Sequence, residues 1–171
     1  MRGNEVEAIG AWHQQWRIQF SMLPDGPQPS TDWLNLLSIG TGQGTSHTGN
    51  GAIIKYASGR LQFRSFVNGQ KNVETSVATN EWSNIEFSQW QNDLGKYVYS
   101  ITVNGNVVHS VMTDSPQVLN DVYMYSGHEN GEVASIWIRD LQHTVLPHQQ
   151  GTVRFTLFPC LRFHNWIQKM L

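Results

Sequence analysis

The side chains that most often carry out catalysis are scattered in this chain rather than clustered. A glycosidase would need two carboxylates about 5 to 10 Å apart in a cleft, and residues two apart on a strand share one face. We expect no Glu-x-Asp or Glu-x-Glu pair in the middle of a strand, because none of the strand-like runs contains one. The chain also has no Gly-x-Ser-x-Gly elbow, and Cys160 is its single cysteine. These patterns predict a protein that is not an enzyme, with no catalytic residues.

The sequence also gives little indication of a metal site or a phosphate site. The seven histidines form no His-x-x-x-His pair, and the glycine-rich run TGQGTSHTGNG lacks the Lys-Ser/Thr ending of a P-loop. Residues 41–50, 91–96 and 126–132 are rich in oxygen ligands of the kind that calcium takes, but turns require the same Gly and Asn residues. We assign no metal ligands and no cofactor, and expect any effect of calcium to be modest. A large effect of calcium would contradict this and make Asp93, Glu129 and Glu132 candidate ligands.

Length and charge narrow the classes further. With 171 residues, 11 basic and 13 acidic, the chain has room for one domain and carries a formal net charge of −2. Only 14% of its residues are charged, which disfavours a nucleic-acid partner. No run reaches the roughly 20 apolar residues of a membrane span, so we expect no membrane insertion. The opening MRGNEVEAIG has no apolar run typical of a signal peptide.

Short alternating runs separated by turn signals dominate the first 142 residues. In WRIQFSM, Trp16, Ile18, Phe20 and Met22 share one face, which is typical of a half-buried strand. Asn104-Gly105 lies between two such runs and predicts a tight hairpin turn. The pattern predicts an all-β fold of two antiparallel sheets. Seven positions are expected in its core: Trp16, Ile18, Phe20, Ile101, Val103, Ile136 and Ile138.

The last 29 residues have a different composition. Residues 143–171 hold three basic residues and no acidic one, whereas residues 1–142 carry a net charge of −5. We therefore predict a domain over 1–142 and a C-terminal appendage over 143–171. Residues 151–158 are compatible with one strand, and residues 160–171 have the apolar spacing of a short amphipathic helix.

Over about residues 6–141 the order of segments resembles the concanavalin A-like jelly-roll family, which includes laminin G-like and lectin modules. The matching segments are WRIQFSMLPDG, WLNLLSIG, GAIIKYASGRLQFRSFVNG, NEWSNIEFSQW, YVYSITVNGNVVHSV, NDVYMYSG and ASIWIRDLQ. The resemblance implies an antiparallel sandwich outside the cell that binds a glycan or an extracellular protein without catalysis. The chain departs from the family in two respects, because residues 1–141 contain no cysteine and no paired calcium-binding aspartates can be matched.

The function predicted is therefore recognition, with carbohydrate as the favoured ligand. The alternative is a protein-adhesion or structural module, and a polysaccharide-active enzyme is the least favoured. Loops on a rigid sandwich are where binding groups usually lie, so we expect residues 41–50, 91–96 and 126–132 to form one binding rim. An exposed indole can stack on a sugar ring, and Trp90 directly precedes one of these polar loops. The candidate ligand-binding residues are Asn50, Trp90, Asp93, His128, Glu129 and Asn130.

Overall fold

The structure is a computed structural model that describes residues 4–25, 32–41, 51–65, 67–68, 71–116, 118–126, 134–147, 154–157 and 161–163. Every regular element in these ranges is a β-strand, which confirms the all-β prediction. The strands are β1 Asn4–Trp12, β2 Trp16–Pro24, β3 Leu34–Thr41, β4 Ala52–Ala57, β5 Arg60–Ser65, β6 Lys71–Ser76, β7 Ser83–Gln91, β8 Tyr97–Val103, β9 Asn106–Thr113, β10 Leu119–Ser126, β11 Ile136–Val145, β12 Arg154–Leu157 and β13 Leu161–Phe163.

Two antiparallel sheets form a sandwich, as the alternation predicted. The first sheet has the order β1-β10-β3-β4-β5-β6, and the second has the order β12-β11-β2-β7-β8-β9, with β13 also paired to β11. All seven predicted core residues are buried. The rings of Trp12 and Trp16 meet edge to face in this core, with their centroids 4.3 Å apart. Burial of such large apolar side chains is the main force that holds the two sheets together.

The hairpin predicted at Asn104-Gly105 is present between β8 and β9. Asn104 has a φ of 49° and Gly105 a φ of 78°, so both residues adopt the left-handed conformation that a type I′ turn requires. The Asn104 side chain makes a further contact with β7. Its Oδ1 accepts a hydrogen bond of 2.8 Å from the backbone N–H of Asn84. This bond ties the hairpin to the start of β7.

Both ends of the chain differ from the sequence-based prediction. β1 begins at Asn4, before the first predicted strand. It contains Glu5 and Glu7, so the expectation that no strand holds a Glu-x-Glu pair is wrong here, although the register shifts between the two residues. At the other end, β11 runs through to Val145, so the predicted boundary between residues 142 and 143 falls inside a strand.

The C-terminal residues that the structure describes continue the second sheet. β12 lies within the strand predicted at residues 151–158 and pairs with residues 142–145 of β11. Leu161–Phe163 is strand β13, paired with Ile136–Ile138, so these three residues of the predicted helix are extended instead. Residues 164–171 of that predicted helix lie outside the described ranges.

Candidate functional site

A groove of about 280 Å³ crosses the outer face of the second sheet. It draws on three neighbouring strands, β2, β7 and β8, together with the β8–β9 turn and a bulge in β11. Its lining residues are Gln19, Phe20, Ser21, Asn84, Ile85, Glu86, Thr102, Gly105 and Asp140. Because a rigid sheet carries these groups, their relative positions are fixed before any ligand arrives.

Strand alternation explains why polar side chains line the groove. Phe20 and Ile85 face the core, so the residues on either side of them in sequence face outward. The register aligns Gln19 with Glu86 and Glu86 with Thr102, which makes one polar row across three strands. A second row pairs Ser21 with Asn84. Directly opposed residues in antiparallel strands have Cβ atoms about 4.5–5.5 Å apart, so each row presents closely spaced donors and acceptors.

A β-bulge brings Asp140 to this groove. The pairing between β11 and β2 shifts register between Arg139 and Gln142, and Asp140 has a φ of 55°. Left-handed backbone is uncommon outside glycine, although aspartate tolerates it better than most residues. Bulges redirect side chains, and here both Arg139 and Asp140 are exposed. Without the bulge, regular alternation would turn one of them toward the core.

Hydrogen bonds hold the amides of the groove in place. Ser21 Oγ donates to Asn84 Oδ1 over 2.8 Å, and Gln19 Nε2 donates to Gln142 Oε1 over 3.1 Å. The backbone N–H of Asn104 donates to the carbonyl of Asn84 over 2.8 Å. The half-buried carboxylate of Glu86, in contrast, has no hydrogen-bond or ion-pair partner within the described part of the chain. A carboxylate in this situation can accept hydrogen bonds from a ligand.

Arg139 lies beside the groove without lining it. Its guanidinium carbon is 3.9 Å from the centroid of the Trp82 ring, and its Nε is 3.5 Å from Asp140 Oδ2. The stacking on Trp82 is a cation–π contact, which keeps this cation over the indole.

The structure describes two of the six predicted ligand-binding residues. Trp90 is half-buried on the outer face of β7 and pairs with Val98, and Asp93 is exposed in the following loop. The other four, Asn50, His128, Glu129 and Asn130, lie outside the described residues, and their role stays a prediction.

The 91–96 loop uses its polar groups to close on itself. Asn92 Oδ1 accepts hydrogen bonds from the backbone N–H groups of Leu94 and Lys96, over 3.1 and 2.9 Å. Gln91 Nε2 donates to the carbonyl of Gly95 over 2.9 Å, and Lys96 pairs with Asp114. These are the contacts of a well-closed turn, in agreement with the turn interpretation of its composition.

The strand ends from which the three predicted loops leave do not share one rim. Thr41 pairs with Val122, whereas Ser126 pairs with Leu37, so Thr41 and Ser126 lie at opposite ends of the first sheet. Ala134, the next described residue after Ser126, donates its N–H to the carbonyl of Asn35 over 3.2 Å, at the same end as Ser126.

The 91–96 loop belongs to the end where Thr41 lies. β7 approaches this end at Gln89, which pairs with Trp16, and the Trp16 ring contacts Trp12. Trp12 in turn pairs with Leu119, close to Thr41 and Val122. The strand ends that bound the three loops therefore do not meet at the single rim expected from sequence, because the strand leading into residues 127–133 runs in the opposite direction.

A buried histidine lies below the surface at this same end. His143 is 7% exposed and pairs with Ile18, and burial, followed by the charge of His13, lowers its pKa to about 4. Its Nε2 has no hydrogen-bond partner among the described residues, nor do the Nε1 atoms of Trp12 and Trp16. His143 is therefore neutral at pH 7 and belongs to the core rather than to a site.

Sequence reasoning missed the groove because it looked in loops. The available signal was the polar residues that alternate with core positions in β2 and β7, Gln19 and Ser21 on one strand and Asn84 and Glu86 on the other. Pairing of these strands, which are more than 60 residues apart, could not be inferred. In the described ranges no three or more His, Cys, Asp or Glu residues are grouped to hold a metal ion. Nor is any helix there long and apolar enough to cross a membrane.

Comparison with known proteins shows the fold. No family model and no curated protein matches the chain. Among solved structures, the receptor-binding domain of botulinum neurotoxin D matches with a TM-score of 0.56 and 16% identity, over 82% of this chain and 35% of that one. A botulinum neurotoxin serotype D binding domain matches with a TM-score of 0.54 and 14% identity, over 75% and 33%.

A third match is the binding domain of botulinum neurotoxin DC in complex with SialylT, with a TM-score of 0.52 and 13% identity over 77% of this chain and 32% of that one. This chain thus spans about a third of the length of each of these neighbours. At such low identity the likeness establishes a shared β-sandwich and leaves function to be argued from the groove.

Proposed function

We propose that this chain is a non-enzymatic carbohydrate-recognition module that acts outside the cell and binds its glycan in the groove on the second sheet. The observation that carries the proposal is the pair of polar rows, Gln19-Glu86-Thr102 and Ser21-Asn84, on three adjacent strands. The resemblance of the segment order to concanavalin A-like and laminin G-like modules supports the same assignment.

The chemistry of the groove suits sugar hydroxyl groups. Each hydroxyl both donates and accepts, and the groove offers amides at Gln19 and Asn84, a hydroxyl at Thr102 and a carboxylate at Glu86. The Ser21–Asn84 hydrogen bond and the Asn84–Asn104 backbone contacts fix the central amide. Fixing a binding group in advance lowers the entropy lost on binding.

One of the structural neighbours was solved with SialylT, a carbohydrate, and this supports the kind of ligand. Because the match covers 32% of that chain, the proposal takes no residue and no sugar from it.

The test is a glycan array followed by titration calorimetry on Asn84→Ala. We expect the variant to bind the selected glycan about fivefold more weakly, because one lost hydrogen bond costs about 1 kcal/mol. Asn72→Ala is the matched control, since Asn72 is exposed on β6 of the first sheet. An array with no bound glycan, or equal affinity of the two variants with both folded, would contradict the proposal.

A protein-adhesion function is the second candidate, favoured by apolar exposure around the 91–96 loop. Leu94 is 84% exposed, and Met112 on the edge strand β9 is 64% exposed. Binding of the labelled chain to cells separates the two functions. A carbohydrate module loses binding after enzymatic deglycosylation and in Asn84→Ala, whereas an adhesion module keeps binding in both cases and loses it in Leu94→Lys.

Trp90 remains a proposed extension of the carbohydrate site. It lies on the same outer face of β7 as Glu86 and four residues further along, about 13 Å away at 3.3 Å per residue. A glycan longer than the groove could reach its ring. Trp90→Ala should then weaken binding of long oligosaccharides and leave binding of short ones unchanged.

A further inference from the structure

The groove that we propose as the carbohydrate site has an asymmetric charge. Its lining contains two carboxylates, Glu86 and Asp140, and no cationic side chain. Glu86 is half-buried and has no ion-pair partner within the described ranges. Its charge is therefore less screened by water and salt than the charge of an exposed carboxylate.

Two arginines lie on the same face of the sheet as Glu86, so each must be considered as a counter-charge to the carboxylates of the groove. Arg139 stacks on Trp82 and lies 3.5 Å from Asp140, so it offsets the more exposed of the two carboxylates. Arg17 is the outward-facing residue of β2 next to Gln19, and it pairs with Ser88 on β7 and Thr144 on β11. It does not line the groove. Neither arginine is within ion-pair distance of Glu86 among the described contacts. Glu86 therefore remains the uncompensated charge at the centre of the polar row.

From this arrangement we infer that the groove selects glycans without negative charge and rejects those with sialic acid, uronic acid or sulfate. The inference rests on the proposed carbohydrate function and adds the class of ligand to it. An acidic sugar seated against Gln19 and Thr102 would place its anion beside Glu86, where like charges a few ångströms apart repel. An uncharged sugar would instead donate its hydroxyl protons to the same carboxylate.

The alternative that the two carboxylates hold a cation, which could then bridge to an acidic sugar, receives no support from the donor set. Hard cations such as calcium take six to eight oxygen ligands, usually several of them carboxylates. In the described part of the chain, no three or more acidic, histidine or cysteine residues are grouped so that they could hold a metal ion.

The experiment compares one glycan array before and after sialidase treatment, probed with the purified chain. We expect signals to increase after treatment, and the desialylated form of a bound glycan to have at least tenfold higher affinity than its sialylated form. Raising the salt concentration should narrow this ratio, since the discrimination is electrostatic.

Glu86→Gln tests the residue itself. This variant should reduce the ratio to about threefold or less while it keeps the shape of the side chain. Glu74→Gln on the first sheet changes the net charge by the same amount, far from the groove, and should leave the ratio unchanged.

The outcomes separate the two proposals. Equal or tighter binding of sialylated glycans overturns the charge selection and leaves the carbohydrate function standing. The same conclusion follows if Glu86→Gln leaves the ratio of desialylated to sialylated affinity unchanged. No binding to either form of the array overturns the proposed function and the charge selection together.

Discussion

The 91–96 loop and the groove on the second sheet contain the same kinds of polar side chain but use them differently. In the loop, Asn92 and Gln91 bond to the loop's own backbone. In the groove the backbone is already paired within the sheet, and Glu86 has no partner among the described residues. Polar residues in a turn are explained by the turn itself, and polar residues on the outer face of a sheet by their exposure to water. What neither the turn nor the sheet explains is a half-buried carboxylate without a partner among the described residues, and only the groove contains one. Such a carboxylate is therefore the better indicator of a binding site.

The largest effect that we expect is a loss of stability in acid. It tests how much the buried His143 contributes at the end of the sandwich where the 91–96 loop lies. The pKa of His143 is about 4 in the folded state, below the ordinary value of 6.5. Between these values the unfolded chain binds more protons, so stability should fall as the pH is lowered from about 6.5 to 4, by about 3 kcal/mol in total. Urea unfolding at several pH values measures this loss.

His143→Leu should remove most of that pH dependence relative to the parent chain. His13→Asn should remove only a smaller part, because burial is the larger cause of the lowered pKa. If His143→Leu keeps the full loss between pH 6.5 and 4, another group is responsible for it.

Asn92→Ala tests the structural role of the loop. Two backbone N–H groups lose their acceptor, and we expect a loss of about 1 kcal/mol in the free energy of unfolding. Glycan affinity should not change. Asp93→Asn serves as the control, since Asp93 is exposed and its substitution should affect neither quantity. If the Asn92→Ala variant is folded and binds glycan more weakly, the 91–96 loop is part of the binding site.

The smallest effect on stability is expected at the bulge of the groove. Asp140 and Asp121 have φ values of 55° and 53°, in the region that favours glycine. Replacing either by Gly should change stability by less than about 1 kcal/mol, since relief of strain offsets the greater freedom of the unfolded chain. Only Asp140→Gly should weaken glycan binding, because Asp121 lies on β10 of the first sheet. Calorimetry that shows equal affinities for the two variants would exclude Asp140 from the site.

Local patterns were sufficient to predict the fold class, an all-β sandwich of two antiparallel sheets. The alternation in Trp16–Met22 and the Asn104-Gly105 pair depend on neighbours in sequence, and both are confirmed. β1 was missed because Asn4–Trp12 contains few apolar residues at its start. The predicted helix failed at Leu161–Phe163, where pairing with β11 outweighs the apolar spacing.

The candidate site depended on information that local patterns do not contain. Gln19, Glu86 and Thr102 become neighbours only through the order β2-β7-β8 and its register. Asp140 reaches the groove because of a β-bulge between Arg139 and Gln142, which no sequence motif predicts. The separation of Thr41 and Ser126, the strand ends that precede two of the three loops, was missed for the same reason, since the direction of β10 relative to β3 follows from topology and not from loop composition.

The pairing of β12 and β13 with β11 has a consequence for solubility. Both short strands lie on the side of β11 that β2 does not occupy, so they cover backbone N–H and C=O groups that would otherwise form an open sheet edge. An uncovered edge is a template for pairing with another molecule. A version of the chain that stops at residue 142 would expose this edge along Ile136–Ile138, a segment rich in β-branched and aromatic residues, and is expected to self-associate.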